Sequence, residues 1–245
     1  MFTAEVRFYL QIAPVIGAAG LRVPTCYRAE QGDDGTLLEL EDLSGWQPGA
    51  DPPAAAAVLG TMHRRWAGEA AGRWPWLRPI GAAVDLVELL YGQTWPRLAE
   101  RGDLPSALAA FGALMVGRVT DAEYAIAGAG PLTLVHGDAQ ARNMRTGPGG
   151  EVALLDWEDV SAAPGALDLA WLLTASTDPA RWDEVIAAYG ATGDGTRVAD
   201  TAGAIARVLP AVMVQGLLSM ADEPPGSSGA MSWIGRLNQA LRRLG

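Results

Sequence analysis

Apolar residues recur every three or four positions between residues 3 and 19, which predicts a helix at the start of the chain. Two short apolar stretches at 24–30 and 36–41 flank the sequence QGDDG, a pattern that predicts a β-hairpin. Longer segments with helical spacing come next, and we predict helices at 53–70, 83–101 and 104–128. The first half of the chain therefore combines one hairpin with four helices.

The second half of the chain begins with a β-rich patch and continues as helices. Strands are predicted at 132–136, 143–146 and 151–155, and the turn sequence GPGG joins the last two into a hairpin. From residue 167 onward the spacing is helical, and the predicted helices are 167–175, 180–191, 198–221 and 231–244. The chain has no internal repeat and no long linker. These elements predict an α+β fold in which helices dominate.

Polar residues are concentrated where the strands of the β-rich patch end. The stretch LVHGDAQARN places His136, Asp138 and Asn143 after the first strand, and Asp156 follows the last strand in LLDWED. Because a short hairpin returns the chain, we expect Asn143 and Asp156 to lie close together. An amide oxygen and carboxylates are suitable ligands for Mg2+ on nucleotide phosphates, and an aspartate can orient an attacking hydroxyl. The spacing therefore predicts a metal site beside a catalytic carboxylate.

Composition narrows the classes of partner. The net charge of −10 argues against nucleic acid, which needs a basic surface, and would suit a cationic small substrate. The apolar runs fall short of a membrane span, and MFTAEVRFYL lacks the apolar core of a signal peptide. The single cysteine, Cys26, excludes an internal disulfide and fits a reducing compartment. We therefore expect a cytoplasmic protein with a small-molecule substrate and neither nucleic acid nor membrane as partner.

Several common catalytic motifs are absent from the sequence. All 18 basic residues are arginine, so the lysine of a phosphate-binding loop is missing, and no Gly-x-Gly-x-x-Gly run opens a helix. Neither a His-Glu-x-x-His zinc helix nor a Gly-x-Ser-x-Gly nucleophile elbow occurs. One cysteine and two histidines argue against a structural zinc site, and His63 is expected to be a structural histidine of its helix.

The segments HGDAQARN and ALLDWEDVSAAPGALDLAWLL together resemble the catalytic part of the aminoglycoside phosphotransferase and choline kinase superfamily, which has a protein-kinase-like fold. The resemblance implies that Asp138 is the catalytic aspartate and that Asn143 and Asp156 are the metal ligands. It also implies Mg2+ and ATP as cofactors. The supporting or structural residues that it implies are His136, Glu158 and Asp168.

The resemblance extends toward the amino terminus. TLLELEDLSGW is similar to the strand and hinge that receive adenine, which implies that Glu39, Leu40 and Glu41 contact the nucleotide. LGTMHRRWAG resembles the helix after the hinge, and AEVRFYLQIAPVIGAAGLRVPTCYRA resembles the helix and strand ahead of it. The expected organisation is a reduced N-lobe at 1–44, formed by a helix, a hairpin and the hinge. The remainder, 45–245, is expected to be a helical C-lobe that carries the catalytic loop and the metal-site hairpin.

The chain departs from the family pattern ahead of the first helix. In the family, three strands precede this helix and supply a phosphate-covering loop and a lysine, whereas this chain begins at the helix. Glu5 would be the partner of that lysine, and Arg7, Arg142 or Arg145 could supply a substitute cation. We therefore expect two strands rather than five in the amino-terminal part. The apolar face and open edge of so small a lobe predict a homodimer.

Three functions fit these observations. The first is a small-molecule kinase that transfers phosphate from Mg-ATP to a hydroxyl of a small, cationic metabolite. The second is a non-kinase biosynthetic enzyme on the same scaffold, with Asp138 and Asp156 as acid and base groups. The third is a pseudokinase that binds without catalysis. The nine tryptophans include four that the resemblance places in segments near the site, namely Trp46, Trp95, Trp157 and Trp171.

Overall fold

The computed structural model of the protein describes residues 2–32, 35–191 and 198–244. These residues form eleven α-helices and seven short strands, which confirms the predicted α+β fold with helices dominating. The buried apolar side chains make one continuous core that reaches from the first helix to the last. The sheets are small and lie at the edges of this helical body. They matter mainly because they position loops.

The chain starts with one helical segment that contains a wider turn. Helix α1 (Phe2–Arg7) runs into a π-helical turn at Phe8–Ile12 and continues as α2 (Ala13–Ala18). Within the wider turn, the N–H of Ala13 bonds to the carbonyl of Phe8, five residues back. Pro14, the next residue, has no N–H to continue an α-helical ladder. The predicted helix at 3–19 is therefore confirmed, with a π-turn that the spacing of apolar residues did not reveal.

A two-stranded hairpin follows the first helix. Strands β1 (Cys26–Gly32) and β2 (Gly35–Leu40) pair in antiparallel register, with a bulge near the start of β1. One face packs against the core through side chains such as Leu38. The other face leaves Tyr27 66% and Leu37 45% exposed. Among the described residues ahead of position 45, this hairpin is the only sheet, and the division into lobes at this position stays a prediction.

The rest of the chain is a bundle of helices with two further small sheets. The helix Pro52–Arg65 packs against the helix Trp182–Ala191, and the helix Val198–Ala221 packs against the helix Ala166–Ser176 at the centre of the bundle. The helices are α3 (Pro52–Arg65), α4 (Ala70–Arg73), α5 (Val84–Ala99), α6 (Ser106–Met115), α7 (Val119–Ala125), α8 (Ala166–Ser176), α9 (Trp182–Ala191), α10 (Val198–Ala221) and α11 (Ser228–Arg242). The strands are β3 (Gln47–Pro48), β4 (Leu132–Val135), β5 (Met144–Thr146), β6 (Val152–Leu154) and β7 (Ser161–Pro164). The sheet orders are β3-β5-β6 and β4-β7.

The predicted single helix at 104–128 is wrong, because the chain breaks between α6 and α7. Gly117 lies at φ 73°, a conformation that side chains with a Cβ rarely adopt. The Glu88 carboxylate of α5 accepts hydrogen bonds from the N–H of Gly117 at 3.1 Å and of Thr120 at 2.9 Å. A carboxylate from another helix thus binds the turn before α7 and one of the free N–H groups in its first turn, a long-range contact that the local sequence pattern does not contain.

The predicted helix at 53–70 is also shorter than its apolar pattern suggested. Helix α3 ends at Arg65, and Gly68 lies at φ 75°. The N–H of Gly68 donates to the carbonyl of Leu132 at 2.7 Å, which ties this turn to the start of β4. The helix therefore stops where a contact with a distant strand replaces its own next hydrogen bond.

Helix α10 corrects the expectation that no apolar run reaches the length of a membrane span. Its segment at 200–221 is 22 residues long, and an 18-residue window within it has a mean hydropathy of 1.6, so it is long and apolar enough to cross a bilayer by length and composition. However, 56% of this window is buried inside the fold. Side chains such as Leu209 and Met213 are completely buried among the neighbouring helices. A long, apolar helix with most of its surface buried, as in α10, is typical of the centre of a helical bundle.

Two helical glycines give a test of the packing between α5 and α6. A Cβ added at Gly112 of α6 would lie 2.0 Å from the Trp95 ring of α5, whereas a Cβ at Gly92 of α5 would meet nothing within 4 Å. We expect Gly112→Ala to destabilise the fold by about 1–3 kcal/mol through overpacking. Gly92→Ala should stabilise it by about 0.5–1 kcal/mol, because alanine costs less entropy in a helix. Urea denaturation of both variants measures the difference, and equal effects would contradict this packing.

Self-association through the hairpin remains a prediction, for which the exposed side chains on its outer face provide a test. We expect the protein at tens of micromolar to scatter light as a dimer, because Tyr27 and Leu37 leave apolar area uncovered. The double substitution Tyr27→Ser and Leu37→Ser should shift it to monomer. Tyr124→Ser, at a tyrosine of α7 that is 56% exposed, is the control and should not. A wild-type protein that stays monomeric would refute the prediction.

Candidate active site

Strand β4 delivers the candidate catalytic loop. Leu134 and Val135 are completely buried, and the strand pairs with β7, so that Val135 lies opposite Ser161. Strand β7 was not predicted from the sequence. It has only four residues, SAAP, which are small and end in proline, so they show no strand pattern. The pairing fixes the point at which the chain leaves the sheet. The loop that starts at His136 is therefore anchored on one side by a strand.

The buried Asp168 carboxylate anchors the other side of the loop. One oxygen accepts the N–H of His136 at 2.7 Å, and the other accepts the N–H of Gly137 at 2.9 Å. His63 also lies against this carboxylate, to which its Nε2 donates at 3.0 Å, and its Nδ1 lies 2.9 Å from the Tyr189 hydroxyl oxygen. Burial alone would raise the Asp168 pKa, but the hydrogen bonds from His63 and the loop hold that pKa below its ordinary value. His63 and Asp168, which the sequence analysis predicts to be structural residues, therefore contact each other directly.

An aromatic column connects the first helix to the loop. His136 donates from Nε2 to the carbonyl of Leu155 at 2.7 Å, and its Nδ1 accepts the N–H of Asp138 at 3.3 Å. The His136 ring centroid lies 4.5 Å from that of Trp157, which in turn stacks on Phe8 at 4.0 Å with an interplanar angle of 10°. Trp157 is completely buried. The position of the first helix is thus coupled by direct contact to the residue that braces the loop.

Asp138 lies at the centre of a set of hydrogen-bond donors from its own loop. Its Oδ2 accepts from Nδ2 of Asn143 at 2.8 Å and from Nη2 of Arg142 at 3.1 Å, and its Oδ1 accepts from the Gln140 amide. Nδ2 of Asn143 also donates to the backbone carbonyl of Asp138 at 3.0 Å. The Asp138 side chain is only 17% exposed. The loop therefore holds one carboxylate in a fixed orientation with one face open.

The hairpin of β5 and β6 brings Asp156 toward this loop. Met144 pairs with Leu154, and the N–H of Leu155 donates to the carbonyl of Asn143 at 2.9 Å, so that Asp156 follows one residue beyond this contact. The predicted hairpin is confirmed. Asp156 lies at φ 62° and is the one non-glycine residue with a positive φ among the described residues. Such backbone strain costs about 1–3 kcal/mol and is concentrated at functional sites.

Further carboxylates surround Asp156. The pKa of Glu158 is raised by burial and then by neighbouring negative charges, of which Asp156 contributes most. The pKa of Glu5, on α1, is also raised by burial and by Asp156, while a hydrogen bond from the backbone of Trp157 opposes the rise. Across the described residues, no group of three or more His, Cys, Asp and Glu side chains forms a metal site by itself. The cluster is instead an open concentration of negative charge beside Asp138.

A cavity of about 290 Å3 opens next to Asp138, between α5, α7, α8 and α10. Gly137, Asp138 and Asp159 border it, and Trp171 and Glu123 lie in its wall. Gly137 lies at φ 89°, and a Cβ there would be 2.2 Å from the carbonyl oxygen of Asp159, so only glycine fits. Of the four tryptophans that the sequence placed near the site, Trp171 lines this cavity.

The three residues of the implied nucleotide hinge lie at the end of β2 and just beyond it. The side chain of Glu39 is exposed, and Leu40 packs partly against the core. The Glu41 carboxylate accepts from Nη2 of Arg22 at 2.5 Å and from the N–H of Thr25 at 3.0 Å. Glu41 therefore fastens the hairpin to the segment before it. A role for these residues in nucleotide binding stays a prediction.

The Asp168 contacts predict a large and specific loss of stability. Asp168→Asn keeps the size of the side chain but replaces one acceptor oxygen by an NH2 group that faces the N–H donors of the loop or of His63. We expect a loss of about 3 kcal/mol in the free energy of unfolding, since one partner of a buried charged network is removed. Asp183→Asn is the matched control, because Asp183 is 84% exposed in its pair with Arg243 and should contribute little. Equal midpoints of thermal unfolding for the two variants would contradict this role.

Comparison with known proteins agrees with this geometry. The model of the phosphotransferase enzyme family matches residues 2–202. No protein with a curated function is similar to the chain in sequence. Similar solved structures include an aminoglycoside phosphotransferase from Alicyclobacillus acidocaldarius subsp. acidocaldarius DSM 446, at 16% identity and a TM-score of 0.58, covering 98% of this chain and 79% of that one.

Two further solved structures are similar over nearly the whole chain. A choline/ethanolamine kinase family protein from Mesorhizobium loti is 17% identical with a TM-score of 0.57, covering 98% of this chain and 80% of its own. Choline kinase LicA from Streptococcus pneumoniae is 16% identical with a TM-score of 0.54 and the same coverage. At these identities the structural likeness shows the fold, which is kinase-like. The chain belongs to the phosphotransferase enzyme family.

Proposed function

We propose that the protein is a small-molecule kinase that transfers the γ-phosphate of Mg-ATP to a hydroxyl group. The observation that carries this proposal is the position of Asp138. Its carboxylate borders the cavity on one side and contacts Asn143 on the other, and Asn143 is joined through the hairpin to the residue before Asp156. An acceptor and a metal-bound phosphate could therefore meet at this one carboxylate. Family membership supports phosphoryl transfer, and the similar kinase LicA is known in complex with AMP.

The residues on the loop and hairpin fit a magnesium ion. Asn143 uses Nδ2 for both of its hydrogen bonds to Asp138, which leaves its Oδ1 as a ligand atom. Asp156 presents an exposed carboxylate at the end of a strand. Mg2+ prefers such oxygen ligands and is usually held by one or two protein groups, with phosphate oxygens and water completing its shell. When bound, the ion would neutralise negative charge on the transferred phosphate.

The chemistry assigned to the chain is a direct transfer. The acceptor oxygen forms a bond to the γ-phosphorus while the bond from that phosphorus to the β,γ-bridging oxygen breaks, and ADP leaves with the electron pair. The proton of the acceptor hydroxyl passes to the Asp138 carboxylate. Asp138 orients the hydroxyl before transfer, and the Asp168 contacts hold its loop at the required position. Positioning of this kind supplies much of the rate in phosphoryl transfer.

The cavity suggests an acceptor that carries a positive charge. Two carboxylates other than that of Asp138 line it, Glu123 and Asp159, and Trp171 adds an aromatic wall. Arg78 neutralises part of this charge through its ion pair with Asp159 at 2.5 Å. Burial raises the Glu123 pKa, and a cationic ligand beside it would favour its charged form. A hydroxylated amine of modest size satisfies these constraints.

Nucleotide binding gives the direct test of this function. We expect millimolar ATP with Mg2+ to raise the unfolding temperature, since a ligand at a hundredfold excess over its Kd adds about 2.7 kcal/mol of stability. Asp156→Asn should reduce this shift, and asparagine tolerates a positive φ, so the substitution removes charge without new strain. Asp138→Asn should keep the shift but abolish ATP-dependent transfer to hydroxylated amines. Asp183→Asn is the control and should behave as the wild type in both assays.

Other outcomes of this experiment select the other two functions. A protein that folds normally but shows no shift at several millimolar Mg-ATP would exclude the kinase and favour a repurposed enzyme. In that case Asp138→Asn should be compared with the wild type on biosynthetic intermediates without ATP. A clear shift without turnover of any acceptor, in wild type and Asp138→Asn alike, would indicate a pseudokinase.

A further inference from the structure

Phosphoryl transfer needs a cation near the γ-phosphate, and this chain has no lysine to provide one. We propose that Arg142 supplies that charge, and that it does so by moving from Asp138 onto the transferred phosphate. The inference rests on the proposed kinase function and adds one catalytic residue to it. Sequence alone left three arginines as candidates. The structure distinguishes between them by their contacts.

Other arginines close to the site already have strong partners. Arg22 pairs with Glu41 at 2.5 Å, and Arg78 pairs with Asp159 at 2.5 Å. Arg145 donates from Nη1 to two backbone carbonyls of its own segment, at 2.8 and 3.2 Å. Recruiting any of these guanidinium groups would break contacts that hold the hairpins and the cavity in place.

Arg7 is the remaining competitor. Its guanidinium lies 5.9 Å from the centre of the Trp76 ring, and it lines a separate cavity of about 280 Å3 together with Glu158. The cavity that contains Asp138 does not include Arg7 among its lining residues in the described part of the chain. Arg7 thus lies with Glu158 in one cavity and Asp138 borders the other, while Arg78 lines both.

Arg142 lies next to the atoms that would react. Its Nη2 contacts Oδ2 of Asp138 at 3.1 Å, and the next residue is Asn143. The Arg142 side chain is 71% exposed, while that of Asp138 is 17% exposed. The guanidinium lies mostly in solvent, and Asp138 keeps its hydrogen bonds from Asn143 and Gln140, so the guanidinium can leave the carboxylate at small cost. It therefore combines proximity to the reacting groups with freedom to move.

The movement of Arg142 would affect both the transferred phosphate and Asp138. A guanidinium fork matches two oxygens of a phosphate, and it would stabilise the charge that spreads over the γ-phosphoryl oxygens during transfer. Departure of Arg142 also frees one acceptor position on Oδ2 of Asp138, which keeps its hydrogen bond from Asn143 and can then accept the proton of the attacking hydroxyl. Before this movement, the contact with Arg142 helps to orient Asp138. Bonds to phosphorus break and form as in the proposed transfer, and Arg142 undergoes no covalent change.

The test compares two nucleotides that differ by the γ-phosphate. Isothermal titration calorimetry with Mg2+ would measure the Kd of ADP and of the non-hydrolysable β,γ-imido analogue of ATP. We expect Arg142→Ala to weaken the ATP analogue about tenfold, which is the loss of one charged hydrogen bond, and to leave ADP within about twofold. Arg142→Lys should restore part of the difference, because an ammonium keeps the charge without the fork.

Two further variants keep the result interpretable. Arg65→Ala is the matched control, since Arg65 is also an exposed arginine four residues from a carboxylate, Glu69 at 3.9 Å, but on α3, and it should change neither Kd. Arg7→Ala tests the competitor. The assignment of Arg142 would be overturned if Arg7→Ala selectively weakened the ATP analogue relative to ADP. It would also be overturned if Arg142→Ala left the ratio of the two Kd values unchanged. Neither result would by itself contradict the kinase proposal. Absence of binding of either nucleotide to the wild type would overturn the kinase proposal and this inference together.

Discussion

The buried carboxylate of Asp168 determines where the loop after β4 can lie. A negative charge with no exposure to solvent is costly unless donors surround it, and here the N–H groups of His136 and Gly137 and the ring of His63 do so. These donors come from two different parts of the chain. The carboxylate therefore joins α8, α3 and the loop after β4 into one unit, and a loop in another position would leave both a charge and two N–H groups unpaired.

The orientation of Asp138 follows from that constraint. Once His136 and Gly137 are fixed, Gly137 at φ 89° turns the chain, and the next residue, Asp138, borders the cavity. His136 then fixes the start of the loop a second time through Leu155 and the stacked Trp157. Because Phe8 stacks on Trp157, a shift of the first helix would displace the ring that packs against His136 at the start of the loop. Rigid positioning of a carboxylate is what a kinase site needs most.

The hairpin that carries Asn143 and Asp156 follows from the local sequence more directly than several of the elements around it. The spacing of Asp138, Asn143 and Asp156 depends on a local hairpin, and local patterns predict hairpins well. The break before α7 depends on Glu88, which is 29 residues from Gly117, and no local pattern contains that contact. Strand β7 has no apolar alternation, and only its pairing with β4 makes it a strand. What the sequence could not supply was therefore long-range pairing.

The charge of the site constrains how a nucleotide could enter it. Asp138, Asp156, Glu158 and Glu5 are all acidic, and the pKa values of the two glutamates are raised first by burial and then by the negative charge of Asp156. An ATP molecule without its cation would add four negative charges at about neutral pH to the same region, against the one mobile cation assigned to Arg142. Under the proposed function, nucleotide and Mg2+ would therefore bind together, because the ion would turn the mutual repulsion of Asp156 and phosphate into attraction. In a family member with a lysine, that lysine would offset part of this repulsion. In this chain the proposed offset comes from the metal and from the guanidinium of Arg142, which already contacts Asp138.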